Sequence, residues 1–464
     1  MVRRERWVAL ATLALLQIFV VVAGSYLLTH DTADSPVSIA SPKPTPTPLV
    51  TAGPVLAAAG DGALPAKGTL SSTLAEALGD PGLGKNVGGV VLDAKTGATL
   101  FDGGAKTPVT PASTTKVVTA TAVLASVGAD VRLATTVVMG KAANSITLVG
   151  GGDPTLAGPK TVADAKKSKT DPYPKPASLT QLASRTAKAL KAAKIASVEL
   201  SYDASLFTGP MTGPGWKPNY VPEGTVAPVA ALTIDEGRSL AGPRFSDPPL
   251  AAAQAFATQL RKSGIRVDAQ ITQAKAPAGA RELARVESAP IYALVEKMLT
   301  ESDNDLAEAL SRQVAIKEGL PHTFVGEAKA VHQVLRRLNV DEGVEVNDGS
   351  GLSTRNRITP AALARLVATA ASPANPDLHS LISGLPVAGF TGTLDDRYGR
   401  SDSKPGAGLV RAKTGTLTGV NTLAGITYTA HGRLVSFAFM ADEVADAGAA
   451  VAALDKMATI VAQS

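Results

Sequence analysis

The chain has 464 residues and a mass of 47.1 kDa, enough for two domains and a sizeable core. Aromatics make up only 4% against 45% hydrophobic residues overall, so the core rests on Ala, Val and Leu; 45 basic and 40 acidic residues are interspersed, and the net charge of +5 comes without the long basic run a nucleic-acid surface needs. Cysteine is absent and the histidines are five (His30, His322, His332, His379, His431), which excludes disulfides, thiolate chemistry and a lipid-bearing cysteine, and disfavours a His-ligated zinc centre or a Ser-His-Asp triad.

Arg3, Arg4 and Arg6 precede an apolar run over residues 7–28, interrupted by Thr12, Gln17 and Ser25. The run is long enough to cross a bilayer, and its positive flank should stay inside. Residues 1–30 are therefore expected to form a cytoplasmic tail and single-pass membrane anchor, with the remainder extracytoplasmic. Cleavage near the small residues Ala23 and Gly24, giving a secreted protein, is the rival reading. Residues 31–65 contain Pro42, Pro44, Pro46 and Pro48, which favour extended polyproline II and read as a linker.

A helix is predicted over 70–78, then a hairpin of strands 87–93 and 98–102 around Lys95-Thr96-Gly97. A helix over 113–126 starts near Pro111 and stops at Gly128. Strands over 133–139 and 146–149 run into Gly150-Gly151-Gly152-Asp153-Pro154, which breaks regular structure. From 155 to 285 the chain is richer in Lys and Pro, with helices near 179–193 and 249–263. Helices over 289–299 and 306–317 follow. Three strands at hairpin spacing (408–413, 423–428, 434–440) precede an Ala-rich helix over 445–462.

This order predicts a mixed α/β (α+β) fold. One antiparallel sheet is assembled from both ends of the chain and covered by helices, as a domain of residues 66–154 and 286–464. Residues 155–285 form an inserted α/β domain.

Three short patterns carry the chemistry. In Ser113-Thr114-Thr115-Lys116 the i,i+3 spacing puts an amine beside a hydroxyl on one helix face. A serine is a poor nucleophile until a neighbour takes its proton, and a lysine can do so only with a lowered pKa. Ser302-Asp303-Asn304 opens a helix. There Ser302 can relay a proton, Asn304 can hold a substrate carbonyl, and Asp303 can turn away to fix the loop. Lys413-Thr414-Gly415-Thr416 is placed at a strand end, where an extended peptide can pair along the edge. Lys413 and Thr414 suit a terminal carboxylate, and the N–H groups of Thr416 and Ser113 suit an oxyanion. Ser401-Asp402-Ser403-Lys404 and Lys95-Thr96-Gly97 match two of the patterns as well, but lie in a loop and a hairpin turn.

The set, in this order, resembles the low-molecular-mass class C penicillin-binding proteins, which are D-alanyl-D-alanine carboxypeptidases and endopeptidases. Ser302 follows Ser113 by 189 residues (302 − 113), a gap that fits their inserted domains and exceeds what a simple β-lactamase needs. LVGGGDPTL at 148–156, DGSGLS at 348–353, LPVAGFTGTL at 385–394 and VRAKTGTLTGVNTLAG at 410–425 are similar to the same family, so the likeness spans about residues 66–464. It implies a penicillin-binding, serine β-lactamase-like transpeptidase domain with no metal or organic cofactor. It implies peptidoglycan stem peptides as substrate and β-lactams as acylating inhibitors. Ser113 would be the acylated nucleophile, Lys116 the general base and Ser302 the relay. Asn304, Lys413, Thr414 and Thr416 would bind substrate. Where members often carry Arg after GLS, this chain has Thr354 and then Arg355. Arg355, Trp216 and Tyr220 are candidate contacts to the substrate side chain, with a plain anchoring role open for the two aromatics. A β-lactamase and a catalytically silent wall-binding protein are the alternatives. Nothing in these patterns bears on oligomeric state.

Overall fold

The computed structural model describes residues 61–168, 171–239 and 242–464. The expected anchor and nearly all of the Pro-rich linker lie outside these residues. Among the described residues, no helix is long and apolar enough to cross a membrane.

The first sheet has strand order β10-β11-β12-β1-β2, all antiparallel, from β1 (Asn86–Asp93), β2 (Thr99–Gly103), β10 (Arg411–Leu417), β11 (Val420–Tyr428) and β12 (Leu434–Asp442). It joins the two ends of the chain as expected. Side chains alternate between two apolar layers. Val90, Leu92, Ala424, Ile426, Ala438 and Met440 face one core. Val91, Leu423, Phe437 and Phe439 face the other, with Phe437 and Phe439 stacked at 5.4 Å. Because both faces are covered, β11 is buried along nearly its whole length. Helices α1 (Lys67–Leu78) and α11 (Ala447–Ala462) close the second core.

The first core surrounds α2 (Thr115–Ser126), whose sequence TKVVTATAVLAS is rich in β-branched residues that weaken an isolated helix. Burial overrides this: ten consecutive residues, Thr115 to Leu124, are buried. Two of the buried hydroxyls find carbonyl acceptors, Thr121 donating to that of Val117 (2.9 Å) and Thr119 to that of Gly349 (2.6 Å). Around α2 pack α6 (Ile291–Thr300), α7 (Asn304–Lys317), α8 (Phe324–Arg337) and α9 (Pro360–Ala371).

The second sheet has order β6-β5-β4-β3-β7, from β3 (Arg132–Met139), β4 (Ser145–Val149), β5 (Ser197–Asp203), β6 (Arg266–Gln273) and β7 (Glu282–Pro290). Helices α4 (Leu179–Ala192) and α5 (Pro248–Lys262) cover one face through Leu182, Leu190, Phe256 and Leu260 against Val137, Ile146, Leu148 and Leu200. The short α3 (Pro159–Ala165) precedes them, α10 (His379–Gly384) packs on α6, and the two-residue strands β8 (Val344–Glu345) and β9 (Arg357–Ile358) pair antiparallel on either side of the 348–355 loop. The structure corrects the expected boundary at residue 155. β3 and β4 precede it, yet pair within the second sheet, and the parallel β4–β5 pairing makes the block's crossover depend on them. The expected boundary followed the change in Lys and Pro content, whereas strand pairing decides the sheet.

An ion pair ties α7 to α8. Arg312 Nη1 lies 2.7 Å from Glu327 Oε2, both side chains are 1% exposed, and the guanidinium lies 4.0 Å from the Phe324 ring centre. Arginine cannot shed its charge, so removing the carboxylate strands a buried cation. Glu327→Leu is expected to lower stability in urea unfolding by about 3–5 kcal/mol; a loss below about 1 kcal/mol contradicts this reading of the pair.

Candidate active site

Ser113 does not sit in the first α-helical turn, as expected. It lies on a 3₁₀ turn, Ala112–Thr114, that runs into α2. The tighter turn still stacks i over i+3, so Lys116 remains beside it. Ala112 has φ 48°, and the Pro111 carbonyl accepts from the hydroxyls of Thr114 (2.7 Å) and Thr422 (2.8 Å). These bonds fix the turn against β11. Gly415 makes the approach possible: a Cβ there would lie 2.1 Å from Thr422 Oγ1 and 2.6 Å from the Pro111 carbonyl.

Lys116 is fully buried. Its Nζ lies 3.1 Å from Ser113 Oγ, 2.7 Å from Asn304 Oδ1 and 2.8 Å from the Ser350 carbonyl. A neutral amine has two hydrogens and one lone pair. Two obligate acceptors take the hydrogens and leave the lone pair for the Ser113 hydroxyl. Burial brings Lys116 down to about 8, against the opposing pull of Glu308, Asp303, Asp348 and Asp305.

Ser302-Asp303-Asn304 forms the corner between α6 and α7. Ser302 has φ 57°, the left-handed position after a helix end where glycine is preferred, at a cost on the order of 1–3 kcal/mol. Its hydroxyl accepts from Lys413 Nζ at 2.9 Å. Asp303 turns away as expected: it caps α7 by accepting from Leu306 N (2.8 Å). Burial pushes its carboxyl up to about 8, so it shares a proton with Glu236. Burial works against ionisation of Glu236 too, but Lys297, the hydrogen bond from Asp303 and the charge of Arg238 together hold Glu236 low. Asn304 is engaged at both ends, its Nδ2 donating to the Thr225 carbonyl at 2.9 Å.

Lys413-Thr414-Gly415-Thr416 lies inside β10, not at its end, because Gly408 (φ 76°) sits in a turn and delays the strand to Arg411. β10 is an edge strand. Lys413 is fully buried and also reaches the Thr414 carbonyl (3.0 Å). Burial lowers its pKa well below the ordinary lysine value, and the charges of Lys116 and Arg397 add to this. Thr414 Oγ1 lies 2.8 Å from Thr393 Oγ1, and Thr416 is exposed on the edge. The hydroxyl at 113 and the amines at 116 and 413 therefore share one site, with the Lys116 charge disfavouring charge on Lys413.

The remaining candidates lie around the 348–355 loop. Arg355 is exposed and lies against Gly215. Trp216 donates to Asp348 (2.8 Å) and meets the Phe324 ring edge-on at 5.6 Å. Tyr220 is 7% exposed and packs with Val226 and Leu352. Both aromatics anchor the inserted block to this loop.

The look-alike patterns are engaged elsewhere. Lys95 pairs with Asp61 and Thr96 with Asp93, while the Ser403 carbonyl accepts from Thr459 on the C-terminal helix.

Two contributors to the site are backbone carbonyls, those of Ser350 and Thr225, which no residue type signals. Glu308 is a third: it accepts from the N–H groups of Gly349 (3.1 Å) and Ser350 (2.8 Å) and so aims the Ser350 carbonyl at Lys116. The signal within reach was DGSGLS itself, since a Cβ at Gly351 would lie 1.8 Å from the Ala112 carbonyl. Among the described residues, no group of His, Cys, Asp and Glu is placed to hold a metal ion.

Residues 70–242 and 239–464 match the model of the D-Ala-D-Ala carboxypeptidase 3 (S13) family. The chain is 34% identical over 466 residues to carboxypeptidase DacB of Mycolicibacterium smegmatis, covering 99% of this chain and 97% of that one. It is 35% identical over 430 residues to a carboxypeptidase of Mycobacterium tuberculosis, covering 91% and 89%. Its fold matches the crystal structure of penicillin binding protein 4 from Haemophilus influenzae with a TM-score of 0.68 at 23% identity, covering 83% and 97%.

Gly415→Ala is expected to cost about 1–3 kcal/mol in urea unfolding, because backbone must move to admit the methyl group. Gly68→Ala in α1, where a Cβ meets nothing within 4 Å, should leave stability unchanged or higher. Equal effects of the two changes contradict the tight approach of β10 to the Ser113 turn.

Proposed function

The chain belongs to the D-Ala-D-Ala carboxypeptidase (S13) family and is a serine-type hydrolase of that class, and from this we propose that Ser113 is its nucleophile and Lys116 its general base. The observation that carries the assignment is the 3.1 Å approach of a buried, pKa-lowered amine to the Ser113 hydroxyl, with its hydrogens held by Asn304 and Ser350.

The stem peptide lies along β10 as an added strand. Lys413, Thr414 and Thr393 receive its terminal carboxylate. Ser113 Oγ attacks the carbonyl carbon of the penultimate D-Ala while its proton passes to Lys116 Nζ. The N–H groups of Ser113 and Thr416 stabilise the oxyanion, each worth about 2.7–4 kcal/mol in the transition state. The C–N bond then breaks as the leaving D-Ala amine takes that proton from Lys116 by way of the Ser302 hydroxyl, which Lys413 holds from the other side. Water adds to the ester as it gives a proton to Lys116, and Lys116 returns that proton to Ser113 Oγ as the acyl C–O bond breaks and the shortened peptide leaves. A peptide crosslink offers the same acyl donor, so endopeptidase action uses the same steps. A β-lactam ring acylates the same oxygen and leaves slowly, and Arg355 borders the substrate side chain.

We further infer that the chain is held outside the cell by an N-terminal anchor and a Pro-rich spacer. The support is Arg3, Arg4 and Arg6 ahead of the apolar run 7–28.

Intact-mass analysis after benzylpenicillin should show one adduct on the wild type and none on Ser113→Ala. An adduct that survives this substitution removes Ser113 from the reaction.

A further inference from the structure

The interrupting block reaches the amine of Lys116 through Asn304. Asn304 Nδ2 donates to the Thr225 carbonyl at 2.9 Å. That bond decides which end of the amide faces Lys116. With the amide turned over, its hydrogens would face the amine, and Lys116 would lose the acceptor that leaves its lone pair on Ser113.

Thr225 is held on both sides. Before it, the Gly224 carbonyl accepts from Arg244 Nε at 3.0 Å. After it, Ala227 N donates to Asp305 Oδ1 at 2.7 Å. Asp305 and Arg244 close the clamp as an ion pair of 2.8 Å, their side chains 6% and 4% exposed. The same guanidinium also donates to the Glu236 carbonyl. The clamp is adjacent in sequence to Asn304, and a planar fork of donors suits its three acceptors where a lysine would not.

We propose that Arg244 and Asp305 are positioning residues for acylation: they hold the Thr225 carbonyl where it fixes the Asn304 amide, so that the inserted block completes the catalytic apparatus. The inference rests on the assignment of Ser113 and Lys116 above. It gives the block a task at the reacting centre that a separate domain, packed alongside, would not have.

The test is a cycle of acylation rates with benzylpenicillin on the full chain, measured across the neutral to alkaline range. The variants are Arg244→Met/Asp305→Leu, Asn304→Ala, and the two combined. Replacing both charges avoids leaving one of them buried alone. Removing the clamp should slow acylation by about 10²-fold. It should also move the midpoint of the pH–rate curve to lower pH, because an amide oxygen stabilises an ammonium more than an amine. In the Asn304→Ala background the same removal should change the rate less than about twofold, since the clamp acts through that side chain. Should the clamp-free variant fail to give a cooperative melt, Arg244→Lys carries the test, with a slower rate and the same dependence on Asn304 expected. Full, additive losses in the Asn304→Ala background, or unchanged rates in folded variants, overturn the positioning role and leave Ser113 as nucleophile. Undiminished acylation of Ser113→Ala overturns the parent assignment instead.

Discussion

The site depends on one electrostatic constraint, the burial of the Lys116 amine where water cannot solvate its charge. An exposed lysine is an ammonium with no lone pair to offer, and Ser113 beside it would be an ordinary hydroxyl. Full burial brings this amine down to about 8, so that a usable fraction is neutral near physiological pH. Burial lowers Lys413 across the cleft as well, with the charge of Lys116 adding to it. The surrounding carboxylates of Glu308, Asp303, Asp348 and Asp305 pull the other way on Lys116 and keep its amine from becoming too weak a base. An amine poised near neutrality is the balance of these opposing effects.

The fold supplies that environment from distant parts of the chain. The 3₁₀ turn 112–114 and α2, into which it runs, bring Ser113 and Lys116, and the α6–α7 corner brings Ser302 and Asn304. The 348–353 loop brings the Ser350 carbonyl, with Asp348 accepting from Gly351 N (3.0 Å), Ser353 N (2.6 Å), Asn356 (2.7 Å) and Trp216. The edge strand brings Lys413 against Ser302. The left-handed backbone at Ser302 illustrates the logic. Glycine would relieve the strain there, but it would offer Lys413 no hydroxyl.

Much of this was readable from the chain because the chemistry is carried by contiguous side chains with definite spacing. Ser113 and Lys116, Ser302 to Asn304, and Lys413 to Thr416 are each a local pattern, and hairpin spacing at the two ends of the chain was enough to predict an antiparallel sheet built from both. What escaped detection depends on pairing or on backbone atoms. The parallel β4–β5 pairing moved strands 132–139 and 145–149 into the second sheet, which Lys and Pro content could not show. The carbonyls of Ser350 and Thr225 act without regard to residue type. The 3₁₀ turn at Ser113 and the late start of β10 follow from Ala112 and Gly408 in left-handed conformations, one of which no propensity anticipates.

The central claim is that Lys116 titrates as a buried amine. It is tested most directly by an NMR pH titration of the protein labelled with ε-¹³C lysine, the Lys116 signal assigned by its loss in Lys116→Arg. The expected midpoint is near 8, with the neutral form growing as pH rises through it. A Lys116 midpoint at the ordinary 10.5 would contradict it, since the amine beside Ser113 would then be charged wherever the protein works.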